Sequence, residues 1–290
     1  MFRRARVRFA LIAVLTLSAT LGVVGTASTH VAASTCTLSG TGATVTRTVG
    51  GRSYAVHVPR TLTGSSVPLL VDLHGDYEPV SYEEMLSGWS TYADAHNFIV
   101  AYPVGTGMWA SWDWGQGSAD VAFIRSVVAD ISATWCVDPH HVHAAGISNG
   151  GLMTSRLACD AADLFASVDI HAGADATIPS PTQWFGSACT PSRPLAVAIT
   201  FGVLDPASSY PVNLQMRGQW LTRLGCPTTG TTESGVLVEA IHYTPCGAGV
   251  EVLWRVYPQT HNWPINQPFG ADADDIHARV WDLFMRNPLP

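Results

Sequence analysis

Val142-His143-Ala144-Ala145-Gly146-Ile147-Ser148-Asn149-Gly150-Gly151-Leu152-Met153-Thr154-Ser155-Arg156-Leu157-Ala158-Cys159 is the stretch on which the fold turns. Val142 to Ala145 is short and apolar, as a buried strand is, and Gly151 to Ala158 has the composition of a helix. Between them Gly146 to Gly150 spells G-x-S-x-G. Strand, sharp turn and helix is the setting in which that pattern has chemical meaning. The turn holds Ser148 at its tip, and the flanking glycines remove side chains that would collide with strand and helix. The Asn149 N–H at the start of the helix, with the helix dipole behind it, is placed to receive negative charge on an oxygen.

Working outward, Pro68 to Leu73, Phe98 to Tyr102, Ala166 to Ile170, Leu195 to Phe201 and Val250 to Val256 are further apolar runs of strand length. Helical spacing separates them. Ser81 to His96 carries Met85, Leu86, Trp89, Tyr92 and Ala93 on one face, and Asp120 to Trp135 carries Val121, Ile124, Val127, Val128 and Ile131. Val212 to Leu224 and Ala273 to Phe284 add two more helices, and Val236 to Tyr243 another strand. Ala43 to Thr48 and Tyr54 to Val58, bridged by Gly50-Gly51, predict an edge hairpin. Ala174 to Ser192 is a Pro- and Ser-containing excursion, expected as a lid or rim loop. The alternation predicts one α/β domain, a mostly parallel sheet with helices on both faces.

Arg3, Arg4, Arg6 and Arg8 precede an apolar stretch, Phe9 to Val24, and then small residues. Residues 1–33 therefore read as a secretory signal, cut after Ala33 or Ala27, with 34–290 as the exported domain. Without those four arginines, 11 of the 15 basic residues remain against 22 acidic ones, and none is Lys. Such a surface is a poor partner for nucleic acid or an anionic membrane, and favours neutral substrates. Six cysteines in an oxidising compartment predict three disulfides, with free thiols as the alternative. Fifteen pairings are open; Cys226–Cys246, Cys136–Cys159 and Cys36–Cys189 are the set favoured here.

In an open α/β sheet, reactive groups gather at the carboxyl ends of strands. A serine hydroxyl needs a base, and the base needs a carboxylate to fix its tautomer. Asp205 follows the strand ending at Phe201, and His261 follows the last strand. The order Ser148, Asp205, His261 is that of the α/β-hydrolases. His171, His242 and His277 are rival bases, and Asp169 and Asp175 rival acids; His171 is the strongest rival. His74-Gly75 closes a central strand, so the backbone N–H of Asp76 is expected as the second oxyanion donor, with His74 as a structural hydrogen-bonder. Trp109, Trp112, Trp114 and Trp263 offer platforms for a ring or sugar, with core packing as the alternative role. Trp112, Trp263 and His171 are the expected substrate contacts. His140, His141 and His143 crowd together, but 140 and 141 point apart, so neither metal nor cofactor is expected.

Asp120-Val121-Ala122-Phe123-Ile124, Val137-Asp138-Pro139, the Gly146 to Gly151 turn and Arg156-Leu157-Ala158-Cys159 together carry a family resemblance. So do Leu73-His74-Gly75 and His261-Asn262-Trp263-Pro264. The chain resembles the secreted esterases of carbohydrate esterase family 1 and the LpqC-like group, which includes feruloyl esterases, acetylxylan esterases and polyhydroxybutyrate depolymerases. The likeness runs from about Tyr54 to Phe284. It implies an α/β-hydrolase fold, with Ser148 as nucleophile, Asp205 as acid and His261 as base. Pro258-Gln259-Thr260 stands where members often have a glycine run, and Asp169-Ile170-His171 is more polar than the usual segment. The expected function is a secreted serine carboxylesterase acting on feruloyl or acetyl esters of plant polysaccharide. Polyester depolymerisation, acyl transfer to a sugar or alcohol, and a catalytically silent binding protein on the same fold are the alternatives.

Overall fold

Ten strands make one sheet in the order β1-β2-β4-β3-β5-β6-β7-β10-β9-β8. They are β1 (Ala43–Val49), β2 (Arg52–Val58), β3 (Val67–Leu73), β4 (Ile99–Pro103), β5 (Val137–Ile147) and β6 (Ser167–His171). β7 (Ala196–Gly202), β8 (Thr231–Thr232), β9 (Glu239–Tyr243) and β10 (Val252–Tyr257) complete it. The computed structural model describes residues 36–107, 110–178, 188–233, 238–264 and 272–290, all within the compact unit Thr35–Pro290. Residues 1–33 (expected as a signal), Trp109 and the middle of the 174–192 excursion lie outside the described residues.

From β4 through β3, β5, β6 and β7 to β10, neighbouring strands are parallel; β1, β2, β9 and β8 add antiparallel edges. Helices α1 (Val80–Ser87), α2 (Trp89–His96), α3 (Ala119–Thr134), α4 (Asn149–Asp160), α5 (Tyr210–Arg223) and α6 (Asp272–Arg286) cover both faces. Strands buried on both sides need apolar residues at consecutive positions, which explains the unbroken runs in β4 and β7.

The expected single helix over 81–96 is two. Gly88 takes a left-handed conformation (φ 67°) and caps α1 before α2 begins. That break changes the phase of the apolar stripe. Leu86, Trp89 and Ala93 are buried as expected, but Met85 is 59% exposed and Glu83 is buried in its place.

Three disulfides form, and two differ from expectation. Cys226–Cys246 is as read, but the others are Cys36–Cys136 and Cys159–Cys189. The first follows from a backbone pairing that sequence did not disclose. Thr37 N–H donates to Thr134 O and Cys136 N–H to Thr37 O, which brings Cys36 beside Cys136. Cys159 on α4 meets Cys189 one turn from Arg156, which also holds the carbonyls of Ala176 and Ala188.

Asp72 on β3, Ala145 on β5, Asp169 on β6 and Ala198 on β7 stand opposite one another across the sheet. This register puts two carboxyl groups on one buried face, below the carboxyl ends of the strands.

Candidate active site

The turn between β5 and α4 is set by close packing. Ser148 has φ 58° and ψ −118°, a conformation that costs a non-glycine residue energy. It is held there by its N–H donating to His171 O (3.1 Å) and by Leu152 N–H donating to Ser148 O (3.0 Å). A Cβ at Gly150 would come within 2.0 Å of Leu73 O, and one at Gly146 within 2.8 Å of it. Only glycine permits that approach between the turn and β3.

Ser148, Asn149, Asp76 and His261 line one cleft of about 300 Å³ with Leu152, Ala172, Gly173, Ala174, Ile178, Ala207, Ser208 and Val212. Asp205 and His261 meet as the sequence reading required: His261 Nδ1 lies 2.6 Å from Asp205 Oδ2. The other Asp205 oxygen accepts the N–H groups of Ala207 and Ser208, both at 2.8 Å. Burial opposes ionisation of Asp205, but the bonds from His261, Ser208 and Ala207 outweigh it and hold the carboxyl below its ordinary range. An ionised Asp205 can only accept, so Nδ1 carries the proton and Nε2 is left as the basic nitrogen. No hydrogen bond joins Ser148 Oγ to His261 in the resting cleft. Such bonds commonly tighten only in the substrate complex.

The Asp76 N–H, expected as the second oxyanion donor, has a clear support. Gly105 N–H donates to His74 Nε2 (3.0 Å), so the neutral His74 ring carries its proton on Nδ1, which donates to Gly75 O at 2.8 Å. Burial lowers the His74 value, consistent with a neutral ring. Carbonyl and N–H of one trans peptide point oppositely, so drawing Gly75 O onto His74 turns the Asp76 N–H the other way. Asn149 is the first residue of α4, and its N–H has no carbonyl partner within the helix. Gly75 N–H is occupied by Glu78 Oε2 (2.9 Å), a contact that sequence did not suggest.

The three expected substrate contacts are support instead. Trp112 is 4% exposed; its N–H holds Asn149 Oδ1 (2.7 Å) and its indole holds His74 O (2.9 Å). Trp263 is buried and gives its indole N–H to Glu83 Oε1 at 2.7 Å. His171 is buried, stacks on Trp263 at 4.2 Å, and is pushed down to about 3 by burial. None of the three is among the residues lining the cleft. Each instead ties its own segment to a neighbouring one by hydrogen bonds, Trp112 to His74 and Asn149, Trp263 to Glu83 on α1, and His171 to Asn262.

The remaining rivals are engaged elsewhere. His242 pairs with Glu251, His277 bonds Ser87 O, and Asp175 pairs with Arg223. His143 bonds Ser167 and stacks on Phe284, while His140 and His141 bond Leu289 O and Asp138.

Comparison with known proteins finds likenesses among esterases and depolymerases. The family model described as "Esterase PHB depolymerase" matches residues 52–180. A bifunctional acetylxylan esterase/xylanase of Neocallimastix patriciarum is 28% identical over 241 residues, 80% of this chain and 33% of that protein. Feruloyl esterase D of Neurospora crassa is 28% identical over 189 residues, 64% of this chain and 61% of that protein. The chain thus spans between a third and three-fifths of these relatives' length. In fold, an acetyl xylan esterase from Aspergillus awamori superposes with a TM-score of 0.68 at 18% identity, over 84% of this chain and 99% of that one. The chain is therefore an α/β-hydrolase-fold protein related to the group that takes in feruloyl esterases, acetylxylan esterases and polyhydroxybutyrate depolymerases.

Proposed function

We propose that the chain is an exported serine carboxylesterase. The observation that carries the reading is one cleft shared by the strained Ser148 and by His261, whose Nδ1 is held by Asp205. His261 Nε2 takes the Ser148 proton as Oγ bonds to the ester carbonyl carbon. The N–H groups of Asn149 and Asp76 receive the charge that builds on the carbonyl oxygen. As the carbonyl re-forms, the alcohol leaves with the proton from His261, and Ser148 keeps the acyl group. Water then enters by the same route, gives its proton to His261, and frees the acid and Ser148.

Feruloyl or acetyl esters of plant polysaccharide are the proposed substrates, in line with the names of the relatives. Asp76, which lines the cleft, and Glu78, which accepts the Gly75 N–H, put acidic side chains beside the oxyanion loop and favour esters without negative charge. Attack on a polyester is the second reading, favoured by the family model's description and by Tyr77 and Leu204, 68% and 64% exposed next to the catalytic loops. Three disulfides, and the lack of any described helix long and apolar enough to cross a membrane, accord with export.

Ser148→Ala is expected to abolish hydrolysis of p-nitrophenyl acetate and labelling by a fluorophosphonate while leaving circular dichroism unchanged. Hydrolysis surviving in that variant refutes the nucleophile. No labelling of the wild-type protein would favour a silent binding protein. Methyl ferulate, acetylated xylan and polyhydroxybutyrate assayed side by side separate the substrate readings.

A further inference from the structure

Asp169, Thr200 and His171 form a chain of contacts that ends at the catalytic loop. Asp169 and His171 are two apart on β6 and so share a face; Thr200 on β7 stands opposite His171. The Thr200 hydroxyl lies 2.8 Å from Asp169 Oδ1 and 2.8 Å from His171 Nδ1. His171 Nε2 lies 3.1 Å from Asn262 O, the carbonyl next to His261. All three side chains are buried, and no cation among the described residues pairs with Asp169.

Proton counting orients the array. A carbonyl only accepts, so His171 Nε2 must carry a proton to hold Asn262. In a neutral ring Nδ1 is then bare and takes the single Thr200 proton. Thr200 has no proton left for Asp169, so the Asp169–Thr200 contact is a hydrogen bond only if Asp169 supplies the proton. Were Asp169 ionised beside a neutral His171, carboxylate and Nδ1 would compete for one hydroxyl proton. One of the three contacts, Asp169–Thr200, Thr200–His171 or His171–Asn262, would then be lost.

We infer that Asp169, Thr200 and His171 are positioning residues for the His261 loop, forming a one-way hydrogen-bond chain that is complete only while Asp169 holds its proton. The proposal rests on the reading of His261 as the base. Burial supports it by raising the Asp169 carboxyl to about 7, and by keeping His171 uncharged. The neighbours do not supply a compensating positive charge. On β3 there is Asp72, which feels Asp169 directly, and on α1 Glu83, reached through Trp263. Tyr257 on β10 is also within the field of Asp169, while Arg255 and Asp275 of α6 are engaged with each other. His277 of α6 is turned to Ser87 O, and Asp205 and His261 face the His171 end. As pH rises through about 7 the chain loses its proton and with it one link between Asp169 and Asn262 O. The loop is then no longer tied to β6 and β7 by an unbroken chain, while Gln259 Nε2 (2.6 Å) remains a donor to Asn262 O.

Thr200→Val keeps the shape and removes the hydroxyl that both links need. Its kcat for p-nitrophenyl acetate at pH 6.5 is expected to fall about tenfold or more, with KM within about twofold, because a small misplacement of the base costs rate and not binding. Thr200→Ser is expected to restore kcat. Asp169→Asn donates an amide N–H to Thr200 at every pH, so its ratio of kcat at pH 9 to kcat at pH 6 is expected to exceed the wild-type ratio about threefold. Folded Thr200→Val with wild-type kcat, or Asp169→Asn with the wild-type pH ratio, overturns the proposal. If Thr200→Val does not fold, Asp169→Asn decides it. His261→Ala separates the two readings. Inactive His261→Ala beside unaffected Thr200→Val sinks the relay alone, and active His261→Ala sinks the base assignment and the relay with it.

Discussion

Asp169, below the cleft, and Glu251, just before β10, are both buried carboxyl groups, 0% and 5% exposed, yet they are held in opposite states. Burial pushes Asp169 up to about 7, with Thr200 as its one side-chain partner among the described residues. Burial acts in the same direction on Glu251, but His242, Arg286 and Asn287 reverse it and bring the group down to about 2. The difference teaches that depth does not decide the charge of a buried acid. The partners do. Around Asp169 the sheet supplies Asp72 and α1 supplies Glu83, both raised by burial and by neighbouring carboxyl groups, Asp169 acting on Asp72 and Asp72 on Glu83, so this layer stores protons. Around Glu251 the chain end supplies a guanidinium and an amide, so that corner stores charge.

The comparison can be broken from either side. The largest effect is expected at the charged corner. Glu251→Ala strands Arg286 and His242 without their acceptor and should destabilise the fold by about 3 kcal/mol, measured by urea unfolding at pH 7. It sits at the low end of the range for such losses because Arg286 is 38% exposed. A change below about 1 kcal/mol would mean that the corner contributes little.

The next effect carries the sign of the comparison. Asp72 has a folded value near 7, above the roughly 3.9 of an unfolded aspartate. Its favourable contribution is therefore complete below about pH 4 and is lost as pH rises through about 7. Glu251 does the reverse: its contribution is present above its ordinary value and is lost as pH falls toward 2. Asp72→Asn should thus raise the melting temperature by about 4 °C at pH 8 and move it by less than about 1 °C at pH 4. An equal shift at both pH values would show that Asp72 is ionised throughout.

The smallest effect tests the link from the acid layer to the loop. Trp263→Phe keeps an aromatic ring against His171 but removes the indole N–H that Glu83 accepts. A loss of about 1 kcal/mol is expected from one hydrogen bond, with little change in KM, in thermal unfolding and steady-state assays.

Much of this was legible in the linear chain. Strand-turn-helix order around Ser148, the apolar runs of the parallel strands and the Ser, Asp, His order all follow from local spacing, and the Asp205–His261 contact arises as that order requires. Glycines at 146 and 150 could be read as a need for close approach, because no other residue would be used so near a turn. Spacing says nothing, however, about what lies under a loop. Trp112, Trp263 and His171 have the chemistry of substrate contacts, and only the folded loops turned them inward as props. The Cys36–Cys136 and Cys159–Cys189 pairings needed contacts between segments 100 and 30 residues apart. Nothing in the sequence singles out Glu83, and Asp169 reads there as a rival catalytic acid; the break at Gly88 and the register of β3, β5 and β6 put both in the interior. Local propensity and pattern act over a few residues, so sequence alone determined the elements and their order. Protonation, disulfide partners and the facing of each ring depend on which distant groups share a volume, and those were decided by the tertiary structure.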